Sequence, residues 1–318
     1  MLKYVITRII FIAIILFVTI SIMYIALRMA VLENLPSDRS FLMNLDGVLE
    51  QYQDFIKGIF TEWDWGQSSS YRIPAWDIVM MKAGLTLKLN GLAFVLYMSL
   101  GIGLGILTAV HRNTIFDRGV SVVTLFLSSI PSFVMILMLM LYLGYRTNIL
   151  PAIYPVGLED FGFIDSVRSL MIPIIALSLE PVAKFIRLVR GELIDCFQAP
   201  YQLLLTTKGL NKRQIIARHH LKTSAVSLLP EFAHTFMYVL FGSFFIEIVF
   251  SMPGLARLFF RSLFSPFMEN TYVNVDVNVT VLIAGFYTLY GLIANFLVDI
   301  SYSLLDPRIR IGSKKTNL

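Results

Sequence analysis

Cysteine is almost absent from this chain: its 318 residues include one, Cys196. A single thiol excludes an intrachain disulfide and any metal site built from several cysteines. Charge is scarce as well, because 15% of the residues are Asp, Glu, Lys or Arg against 57% hydrophobic, and the mean hydropathy is +0.73. A soluble domain needs a charged surface that this composition does not supply, so a polytopic membrane protein is expected. The G-x-x-x-x-G-K-[ST] pattern does not occur, which leaves the chain without a Walker loop for nucleotide phosphates. H-E-x-x-H and G-x-S-x-G are also missing, and the adjacent His219 and His220 point to different faces of a helix, which is poor geometry for joint metal ligation. No catalytic residue, no metal and no cofactor bound by the chain itself are expected.

What the sequence does contain is a set of long apolar runs. Six of them, roughly 4–27, 85–110, 120–144, 169–187, 226–250 and 278–304, are long enough or nearly so to cross a bilayer. The first covers about 36 Å as a helix, too long for the core of a secretory signal, and is read as a retained span. The fourth is the weakest, since Glu180, Pro181 and Lys184 interrupt it; a five-span arrangement with this segment re-entrant is the alternative.

Lys3 and Arg8 open the chain and Arg308, Arg310, Lys314 and Lys315 close it, so both termini are assigned to the cytoplasm. With that orientation His111 to Arg118 and Lys184 to Lys222 face inward, the latter holding eight Lys or Arg against Glu192 and Asp195, while Glu33 to Asp77 faces outward with more acids than bases. The net charge of +5 is therefore topological, and nucleic acid is not an expected partner. The chain divides into a cytoplasmic end with the first span (1–30), an outer loop (31–84), a core of five spans (85–310) with a cytoplasmic element near 191–224, and a tail (311–318).

Within this frame several residues call for a reason. Trp63 and Trp65 in WDWGQSSS are read as an interfacial anchor. Gly101 and Gly105 give the G-x-x-x-G spacing that lets helices approach closely. Pro131 in SIPSF removes a backbone hydrogen bond and should kink the third span, as a gate hinge or merely as a shape. A charge at mid-bilayer costs about 2.5 to 3.5 kcal/mol on insertion scales, so Glu180, Glu231, His234, Glu247 and Asp299 stand out. Glu231 and His234 lie three apart on one helical face, where they can hydrogen-bond each other or serve solute or ion passage. Glu247 and Asp299 sit near span ends, within reach of water.

The longest basic interruption, Gln198 to Pro230, carries Lys208, Lys212, Arg213, Arg218 and Lys222 and no carboxylate before Glu231. Leu193 to Thr207 can form a short helix broken at Pro200; Asn211 after Gly209 can cap a second, Lys212 to Lys222. Helix, glycine turn, helix is a shape that suits a groove on a soluble partner, with basic flanks near anionic lipid headgroups. A solvated connecting loop is the alternative.

The stretch resembles the EAA-type coupling loop of ABC importer permeases, and the whole chain resembles the B-type permease subunit of oligopeptide, dipeptide and nickel importers. The likeness rests on LKYVITRII, WDWGQS, SLGIGLGILTAV, HRNTIFDRGV, SIPSF, NILPA, IEIVFSMPGLARL and DISYSLLDPRIR, in the family's order over nearly the full length. It implies an all-α membrane protein with six transmembrane helices in a bacterial cytoplasmic membrane, forming half of a pathway for peptides. It also implies a second, C-type permease, two cytoplasmic ABC ATPases that hold ATP-Mg, and an extracytoplasmic solute-binding protein. Tyr201, Lys208, Gly209 and Leu210 keep the loop pattern, and Arg218, His219 and Leu221 fit its second helix. Leu204 and Leu205 belong to an apolar run that departs from the family's pattern and suits an ATPase groove. Pathway or gate candidates are Pro131, Glu231, His234 and Glu247. The other readings are an ion-coupled carrier built on Glu231, His234 and Glu247, and a transport-inactive paralogue that anchors or senses.

Overall fold

A computed structural model describes residues 2–33, 41–155, 163–264 and 275–305. Among them the chain is helical: α1 (Leu2–Glu33), α2 (Phe41–Glu62), α3 (Ala75–Val110), α4 (Ile115–Ser128), α5 (Ser132–Leu139), α6 (Phe163–Gln198), α7 (Tyr201–Thr207), α8 (Lys212–Ile215), α9 (Leu221–Val249), α10 (Leu255–Leu263) and α11 (Val277–Leu305). A helix satisfies its backbone internally, which lipid demands of any spanning segment. Five helices are long and apolar enough to cross a membrane, and up to six are if a bent pair counts as one span. The basic residues expected after the last span, from Arg308 onward, lie outside the described residues.

The bent pair is the third expected span. Pro131 breaks it outright: α4 and the helix from Ser132 to Arg146 meet at 100°, with Pro131 at the start of α5 in an extended conformation (φ −59°, ψ 145°). Proline disfavours helix in the residue before it and lacks an N–H, so it starts a helix more readily than it continues one.

The fourth expected span, the weakest by composition, is the best covered. Two thirds of its apolar stretch (67%) is buried, against 11% for α1. Its interruptions Glu180, Pro181 and Lys184 all lie within the continuous helix α6. Composition underrates such a helix because neighbouring helices, and not lipid, surround it. Residues 31–84, expected as a loop, include the 22-residue α2, and the helix expected from residue 85 already starts at Ala75.

Two compact units share the chain. The first, Met1–Leu87 with Pro253–Ile293, has an aromatic core in which Tyr24 stacks on Phe55 at 4.2 Å and Trp65 meets the Phe55 edge at 6.4 Å. Trp65 is buried, so it is core and not the headgroup anchor expected of it, whereas Trp63 is exposed. Asp276 fixes the WDWGQSSS segment: its Oδ2 accepts from Ser68 Oγ at 2.5 Å and from the Ser70 N–H at 3.2 Å.

The second unit is Lys88–Met252 with the residues from Ala294. Here α3 presses on α6 at the two glycines of the G-x-x-x-G spacing. A Cβ on Gly101 would lie 2.5 Å from the Phe185 Cβ, and one on Gly105 would lie 2.7 Å from the Val189 Cβ. Phe185 and Val189 are fully buried one turn apart on α6, so each glycine receives one knob. A neighbouring glycine, Gly103, has nothing within 4 Å of its Cβ position.

Gly105→Ile is therefore expected to lower the stability of the solubilised protein by about 1 to 3 kcal/mol through overpacking, while Gly103→Ala stays near wild type. Thermal unfolding followed by size-exclusion fluorescence separates the two.

Candidate functional site

The basic interruption between α6 and α9 folds as a compact element. Helix α6 runs to Gln198, the chain turns at Ala199 and Pro200, and α7 follows at once. Lys208 ends α7, and Gly209 takes φ +76° with open space around it. That left-handed conformation is cheap for glycine alone. Asn211 then caps α8 by a reciprocal capping box: Asn211 Oδ1 accepts from the Gln214 N–H at 2.9 Å, and Gln214 Oε1 accepts from the Asn211 N–H at 3.0 Å. The second helix does not stop at Lys222 as expected. It passes through a π turn, Ile216 to His220, directly into α9, so the element and a spanning helix are one continuous rod.

His220 holds the two halves together. Its ring is fully buried, with Nε2 2.7 Å from Gln202 Oε1 and Nδ1 3.4 Å from the Tyr201 hydroxyl, and Phe197 packs edge-on at 5.1 Å. Since Gln202 Oε1 only accepts, the network assigns the proton to Nε2 and leaves Nδ1 to accept from Tyr201. Desolvation, with Cys196 beside it, pushes the Tyr201 phenol up to about 12, so the hydroxyl keeps the proton it donates. The sequence reading selected His219, which is half-buried and lies outside this network. The available signal was the spacing, because in a helix–turn–helix one of two adjacent histidines must face inward.

The leucine run splits by face. Leu205 is buried in the element, whereas Leu203 is 72% and Leu204 56% exposed. Lys208 and Arg218 are exposed, Tyr201 is at the boundary and Leu210 is half-buried. The element thus offers two exposed leucines on α7, with the exposed Lys208 one turn after Leu204. Lys212 reaches back to the Val110 carbonyl at the end of α3, 3.4 Å away.

Further along the same two helices, α6 and α9 are joined by charge. Lys184 Nζ is 2.5 Å from Glu231 Oε1, which also accepts from Thr235 Oγ1 at 3.1 Å. His234 is 3.7 Å from Glu231 and largely exposed, beyond hydrogen-bond range, so the expected Glu231–His234 pair gives way to Lys184–Glu231. Glu247 is fully buried, contrary to the expectation that water reaches it; its carbonyl accepts from the Met252 N–H at 2.8 Å where α9 ends. Pro131 lies at the break between α4 and α5, just after Ser128, whose Oγ accepts from Arg187 on α6 at 2.7 Å.

A second tie went unseen in the sequence. Asp117, the lone acid in HRNTIFDRGV, is buried and receives a two-pronged hydrogen bond from Arg190 on α6, Nε to Oδ1 at 2.6 Å and Nη2 to Oδ2 at 2.9 Å. It also accepts from the Asn113 N–H at 2.9 Å. A solitary carboxylate in a basic loop was the signal.

A bundle of apolar helices long enough to span a membrane, one of them continuous with a basic helix–turn–helix, defines a multi-pass membrane protein. The chain belongs to the family of binding-protein-dependent transport system inner membrane components, whose profile matches residues 101–311. Among its relatives, it is 27% identical to the oligopeptide transport system permease protein OppB of Salmonella typhimurium over 98% of this chain and 100% of that one. It is 28% identical to the dipeptide transport system permease protein DppB of Escherichia coli over 82% and 80%. The fold resembles that of the MetNI methionine ABC transporter in an inward-facing conformation, at 16% identity and a TM-score of 0.53 over 72% of this chain and 96% of the matched chain.

Replacing His220 with Ala is expected to cost about 1 to 3 kcal/mol, because Gln202 and Tyr201 lose a buried partner, whereas His219→Ala costs little. Chemical denaturation together with proteolysis between residues 199 and 221 distinguishes the two.

Proposed function

We propose that this chain is one half of the pathway of an ATP-driven importer for oligopeptides or dipeptides, and that the element from Tyr201 to His219 receives the stroke of cytoplasmic ATPases. The observation that carries the reading is the exposed pair Leu203 and Leu204 on an element continuous with α9. An exposed apolar pair on a basic element fits a groove on a soluble partner better than it fits water. The solute class comes from the relatives, named for oligopeptide and dipeptide transport.

In this reading the partners are a second, C-type permease, two ABC ATPases carrying ATP-Mg, and an extracytoplasmic solute-binding protein. Closure of the ATPases moves α7, and the His220 network passes the displacement to α9. The Lys184–Glu231 pair makes α6 follow, and the populations of inward and outward states then shift with nucleotide. Tyr201, Lys208, Leu210, Arg218 and His219 shape or flank the docking face, Leu204 enters the groove, and Leu205 anchors α7 to its own chain. The ion-coupled carrier reading finds less support, since Glu231 is neutralised by Lys184.

In proteoliposomes holding the assembled importer, uptake of a labelled tripeptide is expected to require ATP and to survive collapse of the proton gradient. Uptake that stops with the gradient while ATP remains overturns the proposal. Gly209→Val is expected to leave insertion intact and reduce uptake roughly tenfold or more while ATP hydrolysis continues, because a β-branched residue at φ +76° resists the turn.

A further inference from the structure

The first unit contains a cavity that plays no part in the coupling element. Its volume is about 420 Å³, and Tyr24 and Arg28 on α1, Asp54 and Phe55 on α2, Asp64 in the WDWG turn and Asn278 on α11 line it. That volume falls in the range of small-molecule sites.

The cavity holds complementary polar groups that the fold leaves unsatisfied. Arg28 lies over the Tyr24 ring, 5.2 Å from its centre, and its Nε is buried without a hydrogen-bond partner among the described residues. Asn278 donates through Nδ2 to the Gln67 carbonyl at 2.9 Å, which fixes the amide so that Oδ1 remains a buried acceptor without a partner among the described residues. Unpaired buried groups are costly, and a ligand bearing both an acceptor and a donor removes that cost. Asp54 is exposed, and Asp64 spends one oxygen on the Gly66 N–H at 2.8 Å. The floor is aromatic, since Tyr24 and Phe55 are stacked.

We propose that this cavity binds a small zwitterion of dipeptide size. Its carboxylate pairs with Arg28, its ammonium faces Asp54, Asp64 and Asn278 Oδ1, and its side chain lies against Tyr24 and Phe55. A guanidinium recognises a carboxylate through paired N–H donors, and two carboxylates with an amide oxygen suit an ammonium's three donors. A simple anion site is disfavoured by the two aspartates, and a simple cation site by Arg28.

The test reads binding, not transport, so it stands or falls apart from the import reading. The chain's three tryptophans lie together beside the cavity, with Trp63, Trp65 and Trp76 in mutual contact. Tryptophan emission of the full-length chain in lipid nanodiscs is titrated with four probes: dialanine, N-acetyl-dialanine, dialanine amide and the doubly blocked N-acetyl-dialanine amide. Dialanine should give a saturable change that the doubly blocked peptide does not. Arg28→Gln should erase the roughly tenfold advantage of a free carboxylate and keep that of a free amine, with Arg28→Lys restoring part of the loss. Asp54→Asn should do the reverse. No saturable change up to about 10 mM, equal responses to all four probes, or a uniform loss in both Arg28→Gln and Asp54→Asn overturns the site.

Discussion

One buried imidazole, His220, ties together the helix–turn–helix element between α6 and α9. Without His220, α7 would be seven residues attached to α6 by a proline turn and to α8 by a glycine, too short to persist alone. With it, Gln202 and Tyr201 on α7 and Phe197 at the end of α6 converge on one ring whose backbone belongs to the rod that becomes α9. Each contact is modest, at about 1 kcal/mol for a net hydrogen bond. Their convergence on a single buried residue is what makes the element a rigid body.

Rigidity there matters because of what lies on either side. The element joins α6 and α9 directly, and these two helices are joined again by Lys184 and Glu231. Lys184 is 44% exposed, so the pair contributes little to stability; its effect is to set which faces of the helices meet. Arg190 extends α6 to Asp117 at the start of α4, and the glycine contacts at Phe185 and Val189 hold α3 against the same helix. Helix α6 is therefore the central member of the second unit, and in the proposed importer a displacement of the helix–turn–helix element has a packed route through it.

Much of this was legible in the sequence, for identifiable reasons. Apolar length locates spanning helices reliably because lipid admits few alternatives, and the spacing of Gly101 and Gly105 and the turn at Gly209 follow from sterics that no tertiary context reverses. Pro131 was visible as a break but not in degree, since whether a proline kinks or severs a helix depends on its neighbours. Where sequence and structure differ, the difference lies in surroundings. Composition underrates helix α6 because its polar residues are covered by helices and not by lipid. Chain position places Glu247 near water but says nothing about burial. Local spacing offers Glu231 only His234 on its own helix; the nearer partner, Lys184, comes from another helix, as does Arg190 for Asp117.

In the proposed importer the exposed Leu204 faces an ATPase while its buried neighbour Leu205 faces its own chain. A photo-crosslinking benzoylphenylalanine placed at each position in turn, in the purified nucleotide-free importer, tests it most directly. The account predicts a crosslink from position 204 to an ATPase subunit and none from position 205. Equal crosslinking from both, or none from position 204 while the complex stays assembled, would contradict it.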